Sequence, residues 1–216
     1  MMRSQDEGQT WGTPQRRITS PFINISTLIK GTPYSYLDGT IGLPVYHEFL
    51  GKFGELLHLS TTGKVLDKQR LSTGKTSIQP VLLVEDKLKA LVLMRYTGAP
   101  PMRMVVTRSN DGGNSWDAPL KTELPNPDSA VSAVVLNDGY LLLVANDVEQ
   151  GRAALSLPLS KDHGATWQNR YHLEDQRGQS SQLEDYLRNN ASLALASDAH
   201  ISNADAYAKS AQRNKC

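Results

Sequence analysis

Short apolar runs separated by Gly, Asp, Asn and Pro recur along the first 174 residues of the chain. The runs are rich in Val, Leu, Tyr and Thr, which is typical of β-strands bounded by turns. The clearest predicted strands form two groups of four, at 77–84, 90–96, 102–108 and 115–123, and at 130–136, 140–146, 153–159 and 166–173. The pattern therefore predicts an all-β protein built from hairpins.

The groups of strands recur at a constant spacing. Asp38, Asp86 and Asp138 mark equivalent hairpin turns and lie roughly 50 residues apart. Four short strands per repeat at this period indicate a β-propeller, because a β-helix needs shorter repeats.

A turn motif, Ser-x-Asp-x-Gly-x-(Ser/Thr)-Trp, occurs three times in the same register. Its aspartates can accept backbone hydrogen bonds, its glycine can supply a positive φ, and its tryptophan can pack on a neighbouring strand. We interpret the motif as structural, because a structural turn repeats whereas a catalytic carboxylate need not. The aspartates and tryptophans are Asp6 and Trp11, Asp111 and Trp116, and Asp162 and Trp167.

A fourth, degenerate copy is predicted where the spacing requires one. Ser60 is retained there, but Thr62 replaces the aspartate and no tryptophan follows. We predict that residues 53–71 form the outer hairpin of this unit, with its turn at 61–63 and a positive φ at Gly63.

The repeats divide residues 1–174 into a partial propeller of about three and a half blades. The units cover about 1–20, 21–73, 74–124 and 125–174. Such a set does not obviously close a ring, so we expect the chain to be a piece of a larger propeller. Residues 175–216 contain no Trp, Phe or Val, and we expect an irregular or weakly helical tail there.

Composition excludes several classes of function. The formal net charge of +1 gives no electrostatic basis for binding nucleic acid or an anionic membrane. The single cysteine, Cys216, allows no intramolecular disulfide, and the sequence shows no metal-ligand spacing and no phosphate loop, so we expect no cofactor and no metal. Without a signal-peptide pattern, we expect a cytoplasmic location, unless the chain lacks its natural start.

The repeated turn resembles the Asp box, or bacterial neuraminidase repeat, of sialidases. The stretches at 42–49 and 124–130 also look like those of bacterial predicted neuraminidases. The resemblance covers about residues 1–174 and implies a sialidase-like, six-bladed propeller with its boxes on the rim, away from the active site. Such boxes also occur in non-enzymatic receptors and in other binding propellers.

Ligands of propellers bind near the ends of the inner strands, so polar residues in the first two strands of each blade are candidates. In the second strands they are His47 and Glu48, Arg95 and Tyr96, and Asn146 and Asp147. At the entries to the first strands they are Asn24 and Ser26, Ser77 and Gln79, and Asn126 and Asp128. Glu48 and Asp128 are the candidate catalytic carboxylates. Arg95, His47, Tyr96 and Asn126 are the candidate substrate-binding residues.

Each candidate also has a structural interpretation. Glu48 could form a buried ion pair with Arg70 or Arg95, and Asp128 could cap a turn. Tyr96 could serve packing alone, and His47 could be a hydrogen-bonded scaffold residue.

The resemblance implies an arginine triad for the sugar carboxylate, an aspartic acid as proton donor and a tyrosine nucleophile activated by a glutamate. The residues in this chain match by position only. Two hypotheses therefore stand: a sialidase-like exo-glycosidase acting on a terminal sugar, and a non-catalytic propeller that binds glycans or a protein partner. The expected ligand in the first is a carbohydrate, such as a sialic-acid-containing glycan.

Overall fold

The computed structural model describes residues 1–19, 27–36 and 38–175. The helical or irregular tail predicted for 175–216 lies outside the described residues, apart from Asp175 at the end of the last strand.

Every regular element of the described chain is a β-strand. The first sheet contains β1 (Leu28–Ile29), β2 (Tyr34–Ser35), β3 (Ile41–His47), β4 (Phe53–Leu59) and β5 (Val65–Arg70). The second contains β6 (Ser77–Val84), β7 (Ala90–Tyr96), β8 (Arg103–Ser109) and β9 (Leu120–Pro125). The third contains β10 (Ser132–Val135), β11 (Leu141–Asn146), β12 (Ala154–Ser160) and β13 (Gln168–Asp175).

The strands are ordered as in propeller blades. In the second and third sheets they follow chain order, β6-β7-β8-β9 and β10-β11-β12-β13, and each pairs antiparallel with the next. In the first sheet, β1 and β2 both pair with β3, so two short strands share the inner position. This arrangement confirms the predicted all-β propeller fold, and the three sheets do not close into a ring within the described residues.

The sheets stack through two apolar cores, and β7 contributes to both. Leu91 and Leu93 pack towards the third sheet, in a core that includes Leu141. Val92 and Met94 point to the opposite face and pack with Leu56, Leu71 and Val105. Because successive side chains of a strand alternate between faces, a strand covered on both sides shows a continuous apolar run. This is why 90–96 is uniformly hydrophobic in sequence.

The three Asp boxes form the same hydrogen-bond network. In the second box, Oγ of Ser109 donates to Oδ1 of Asp111 at 2.8 Å and accepts the Gly113 amide at 2.9 Å. The other end of the turn is held by Ser115, whose amide and hydroxyl donate to Asp111 at 2.9 and 2.5 Å. The corresponding two serine bonds are both 2.7 Å in the box of Asp6 and both 2.8 Å in the box of Asp162.

These hydrogen bonds stabilise the ionised form of the box aspartates. Donation from the hydroxyl at the end of each box, Thr10, Ser115 or Thr166, is the largest cause. The pKa of Asp6, Asp111 and Asp162 is thereby lowered from the ordinary value of 3.8 to about 2. The predicted positive φ is also present, at 88° for Gly8, 85° for Gly113 and 75° for Gly164.

The box tryptophans differ in their surroundings. Trp116 packs against the core between the first and second sheets, and its Nε1 donates to Oε1 of Gln69 at 2.9 Å. Trp167 is 5% exposed in the core between the second and third sheets. Trp11 is 58% exposed. Two of the three indoles therefore join one blade to the blade before it.

The degenerate repeat adopts the predicted hairpin. β4 and β5 pair antiparallel, and Gly63 in their connecting turn has a φ of 75°. Oγ of Ser60 accepts the Lys64 amide at 3.0 Å, as the box serines do for their glycine. The turn is also contacted by the first residues of the chain, since Nη2 of Arg17 donates to the Thr62 carbonyl at 3.0 Å. This confirms the prediction made for residues 53–71.

The partial unit at the start of the chain contains a complete box without regular strands. The amide of Gly12 donates to the Arg3 carbonyl at 2.8 Å, and the amide of Gln15 donates to the Met1 carbonyl at 2.8 Å. The two arms of the turn are thus bonded to each other, although none of residues 1–19 belongs to a β-strand.

Candidate functional site

The strand directions place the Asp boxes and the candidate residues at opposite ends of the sheets. Ser77 at the start of β6 pairs with Tyr96 at the end of β7, and Arg103 at the start of β8 pairs with Pro125 at the end of β9. We call this the polar end. The Asp boxes of Asp111 and Asp162 connect the third and fourth strands of their sheets and therefore lie at the other end, which we call the box end.

At the polar end, Arg95 and Asp128 form an ion pair between neighbouring blades. Nε of Arg95 donates to Oδ1 of Asp128 at 2.7 Å, and its Nη1 donates to Oε1 of Gln79 at 3.3 Å. Nε2 of Gln79 in turn donates to the Tyr46 hydroxyl at 3.5 Å. The Arg95 side chain is 20% exposed and that of Asp128 is 45% exposed. The structure thus brings together two of the predicted site residues, with the carboxylate facing solvent.

Two members of this group have a strained backbone. Gln79 has a φ of 54° and Asp128 a φ of 51°, in the left-handed region that side chains other than glycine rarely adopt. Gln79 lies where the pairing of β6 with β7 shifts register, between Ile78 and Val81. Strained residues of this kind concentrate at functional sites, where surrounding contacts hold them.

The loop that carries Asp128 is held by hydrogen bonds on several sides. Asn126 is fully buried, its Oδ1 accepts the Tyr96 amide at 3.0 Å and its Nδ2 donates to the Ser129 carbonyl at 2.9 Å. Nη2 of Arg152 donates to the Asp128 carbonyl at 2.8 Å. Both polar side-chain atoms of Asn126 form hydrogen bonds within the chain, so Asn126 can orient the loop that carries Asp128.

Lys30 also belongs to this region, although the sequence analysis did not identify it. Its Nζ reaches from the first sheet to the Val131 carbonyl at the entry to β10, at 2.7 Å. Burial, and then the positive charge of Arg95, lower the pKa of Lys30. The next residue, Gly31, lies close to the backbone of β6, because a Cβ there would be 2.6 Å from the Pro80 carbonyl oxygen. We call Lys30, Tyr46, Gln79, Arg95 and Asp128 the polar cluster.

Glu48 and His47 occupy a different environment from the one predicted. Glu48 follows the last residue of β3 and is exposed, so the alternative in which it forms a buried ion pair with Arg70 or Arg95 is wrong. The buried carboxylate of this sheet is Glu55, whose Oε2 lies 2.7 Å from Nε2 of His47 and 3.6 Å from Nζ of Lys68. The His47 ring also stacks on Phe53 at 4.6 Å.

Glu55 has a recognisable signal in the sequence, namely a carboxylate in an otherwise apolar strand. It was missed because the search was confined to the first two strands of each blade, whereas Glu55 lies in the third strand, β4. The structure places His47 beside Glu55 and not in the polar cluster.

Tyr96 is enclosed by protein groups. It is 8% exposed, its hydroxyl donates to the Ala99 carbonyl at 2.9 Å, and Nζ of Lys121 lies 3.9 Å from its ring centroid. These contacts fix the end of β7 next to Arg95. The contacts of Tyr96 are therefore those of a buried residue that holds Arg95 in position.

The polar cluster has an excess of positive charge. Its cations are Lys30, which contacts the Val131 carbonyl, and Arg95, which contacts the single carboxylate of the cluster, that of Asp128. Arg152 adds a guanidinium at the Asp128 carbonyl. Guanidinium and ammonium groups of this kind bind carboxylates, and a partly exposed carboxyl group can exchange protons with a ligand. Among the described residues, no three His, Cys, Asp or Glu side chains are grouped so that they could hold a metal ion.

The repeats and the fold together agree with a known family. Residues 1–212, nearly the whole chain, match the family described as the BNR repeat-like domain. The chain belongs to this family. The match of the BNR repeat-like domain also extends beyond residue 174, at which the strand pattern of the sequence ends.

Solved structures similar to this BNR repeat-like domain include sialidases. Hadza microbial sialidase Hz136 matches with a TM-score of 0.63 and 18% identity, over 81% of this chain and 36% of its own. A protein of unknown function from Dyadobacter fermentans matches with a TM-score of 0.63 and 18% identity, over 83% of this chain and 53% of its own. The NanB sialidase of Streptococcus pneumoniae matches with a TM-score of 0.61 and 16% identity, over 80% of this chain and 28% of its own. At these identities the similarity establishes the fold, a sialidase propeller.

The chain spans about a third to a half of the length of two of these structures and 28% of the third. Comparison with curated proteins gives no match. In the part of the chain that the structure describes, no helix is long and apolar enough to cross a membrane.

Proposed function

We propose that the protein to which this chain belongs is a sialidase-like exo-glycosidase that hydrolyses a terminal acidic sugar. The observation that carries the proposal is the Arg95–Asp128 pair, held at 2.7 Å at the polar end of a sialidase-type propeller. Sialidase relatives of the same fold support a carbohydrate ligand. The excess of positive charge in the polar cluster supports a ligand that carries a carboxylate.

In this proposal the residues of the polar end have separate roles. Arg95 binds the carboxylate of the sugar, and the half-exposed Asp128 exchanges the proton of the leaving group. Asn126 holds the Asp128 loop, and Gln79 holds the guanidinium of Arg95. Glu48, exposed after β3 at the same end, stays a candidate carboxylate by its position alone.

Sialidases are among the glycosidases that use a tyrosine nucleophile instead of a second carboxylate. We assign no tyrosine to this role. The relatives with a sialidase activity have chains about three times as long as the matched region, so further catalytic groups would come from sequence outside it.

The test is hydrolysis of a panel of aryl glycosides by the full-length protein, with an aryl sialoside and neutral hexosides side by side. We expect turnover of the acidic glycoside and little of the neutral ones. Absence of turnover for every member, by a protein with a cooperative thermal unfolding transition, would contradict the proposal.

One observation favours a second candidate, a non-catalytic propeller that binds glycans. The polar cluster holds two cations but a single carboxylate, whereas glycoside hydrolysis usually requires two catalytic groups on opposite sides of the bond. This candidate predicts saturable binding of the acidic sugar by the full-length protein without any release of the aryl group.

A further inference from the structure

An open cleft lies between the outer strands of the first and second sheets and shares no residue with the polar cluster. One wall is formed by the end of β5 and its connection to β6, and the other by the segment between the second Asp box and β9. Its volume of about 570 Å³ is typical of a small-molecule site. The residues that line it include Arg70, Thr73, Lys75, Trp116, Asp117 and Pro119.

Two of these side chains are fixed by contacts within the chain. The indole of Trp116 packs against the core between the two sheets, and its N–H is already used in a hydrogen bond to β5. The guanidinium of Arg70 lies 3.8 Å from the centroid of the Phe53 ring, and its Nε and Nη2 donate to the carbonyls of Ser72 and Gly74 at 3.0 and 3.2 Å. A ligand in the cleft would therefore meet groups that are already ordered, which lowers the entropy cost of binding.

Charged groups of both signs line the same cleft. Lys75 and Asp117 are exposed, and neither side chain forms a hydrogen bond or an ion pair with another described residue. Nη1 of Arg70 also has no hydrogen bond among the described residues. An anion would be attracted by the two cations but repelled by the carboxylate, and for a cation the signs are reversed. The lining therefore favours a neutral ligand that both donates and accepts hydrogen bonds.

The apolar part of the lining narrows the class of ligand further. Trp116 and Pro119 contribute apolar ring surface beside the ammonium group of Lys75 and the carboxylate of Asp117. A pyranose ring has an apolar face of C–H groups and a rim of hydroxyl groups, each of which can donate and accept a hydrogen bond. Aromatic side chains supply a large contact area for such a face. A neutral sugar therefore uses every kind of group that the cleft offers.

We propose that the cleft is a second carbohydrate site, which binds a neutral pyranose with its C–H face on Trp116 and its hydroxyl groups on Lys75 and Asp117. The choice of a glycan as the ligand rests on the proposed function. The site itself is separate, because none of its residues belongs to the polar cluster. A neutral sugar bound in the cleft would hold a glycan on the protein without taking part in hydrolysis.

The experiment is an NMR titration of the full-length protein with a panel of neutral oligosaccharides built from glucose, galactose, mannose and N-acetylglucosamine. We expect at least one member to bind with a Kd of about 1 mM or below. For that member, Lys75→Ala and Asp117→Ala should each weaken binding by about tenfold, because each removes a charge-assisted hydrogen bond. Lys87→Ala and Asp67→Ala are the matched controls, because both residues are exposed and lie outside the cleft, and the affinity should be unchanged.

A second readout locates the bound sugar and needs no change to the cleft. The indole N–H signal of each tryptophan is followed in the proton–nitrogen NMR spectrum, and Trp116→Phe identifies the signal that belongs to Trp116. The sugar should shift this signal and leave those of Trp11 and Trp167 unchanged, because neither of them lines the cleft. Inorganic sulfate at the same concentration as the sugar should not displace it.

Four results would overturn the proposal: no binding of any panel member, an unchanged affinity in both cleft variants, an unshifted Trp116 signal, or displacement by sulfate, which would make the cleft an anion site. Binding in the cleft by a protein that releases no aryl group would refute the proposed hydrolysis and support the second site. Turnover of the aryl sialoside without binding of any neutral oligosaccharide would do the reverse.

Discussion

Nε1 of Trp116 donates a hydrogen bond to Oε1 of Gln69 at 2.9 Å, which ties the Asp box of the second sheet to the outer strand of the first. The amide of Gln69 returns the contact by donating to the Asn114 carbonyl at 3.2 Å, within the same box. The box thus has two functions in the fold: it braces its own turn, and it anchors its blade on the blade before it.

The box tryptophans should differ in their contributions to stability. Trp167→Ala removes a side chain that is 5% exposed between two sheets, and we expect the free energy of unfolding to fall by about 3–5 kcal/mol. Trp11→Ala is the matched control, because that indole is 58% exposed, and its effect should stay within about 0.5 kcal/mol. Urea denaturation of both variants measures the difference. Equal effects would show that Trp11 is also buried against a neighbour in solution.

The serine of an Asp box should contribute more to the free energy of unfolding than the exposed residue next to it. Ser109 is 2% exposed, and its hydroxyl accepts the Gly113 amide, so Ser109→Ala leaves that N–H without its acceptor. We expect a loss of about 1–3 kcal/mol. Asn110→Ala in the same turn changes an exposed side chain and should stay within about 0.5 kcal/mol. Thermal unfolding decides, and an unchanged midpoint for Ser109→Ala would refute the bracing role of the network.

Acid should weaken the fold through the box aspartates. Their pKa is about 2 in the folded chain, below the ordinary value of 3.8 that we take for the unfolded chain. The folded state therefore binds protons less readily than the unfolded state. Their contribution to stability is therefore complete above about pH 4 to 5 and is lost as the pH falls through about 2. Asp38 and Asp86, whose pKa values are also lowered by backbone and hydroxyl donors, act in the same direction.

Thermal unfolding between pH 7 and pH 2 tests this linkage. We expect a plateau that gives way to a declining midpoint below about pH 4. The variant Asp162→Ala should show a shallower decline, since it has one fewer group that takes up a proton on unfolding. An identical slope for the variant and the parent would mean that the box carboxylates do not set the acid limit.

In the proposed enzyme, Asp128→Asn should impair the chemical step and leave the loop intact. An asparagine oxygen can still accept the hydrogen bond from Nε of Arg95, but the side chain cannot exchange a proton. We expect kcat to fall by about 100- to 10,000-fold. Asp138→Asn, in a hairpin turn at the box end, is the control and should keep kcat. A wild-type kcat for Asp128→Asn would remove Asp128 from the mechanism.

Local features of the fold could be predicted from the sequence. The strands, the box turns and the degenerate hairpin at Gly63 depend on residues close to each other in the chain, so periodicity and turn chemistry were sufficient. The first sheet was harder, because its inner position is divided between β1 and β2, two strands of two residues each. Elements this short leave no period to detect.

The site was less accessible to sequence analysis, for geometric reasons. The contact of Arg95 with Asp128 depends on how neighbouring blades stack, which no local pattern encodes. Glu48 was expected inside a strand, but β3 ends at His47, and the side chain one residue later is exposed. Lys30 lies 101 residues from its partner Val131, in the part of the chain with the weakest repeat signal.

The opposite placement of the Asp boxes and the polar cluster has a consequence for how such a protein can diversify. The box end is copied from repeat to repeat, whereas the equivalent second-strand ends carry Tyr46 and His47, Arg95 and Tyr96, and Asn146 and Asp147. Duplication of a blade therefore copies the stabilising turn at one end, whereas the side chains at the other end can differ between blades. New specificity can arise one blade at a time, with each step leaving the braces of the remaining blades untouched.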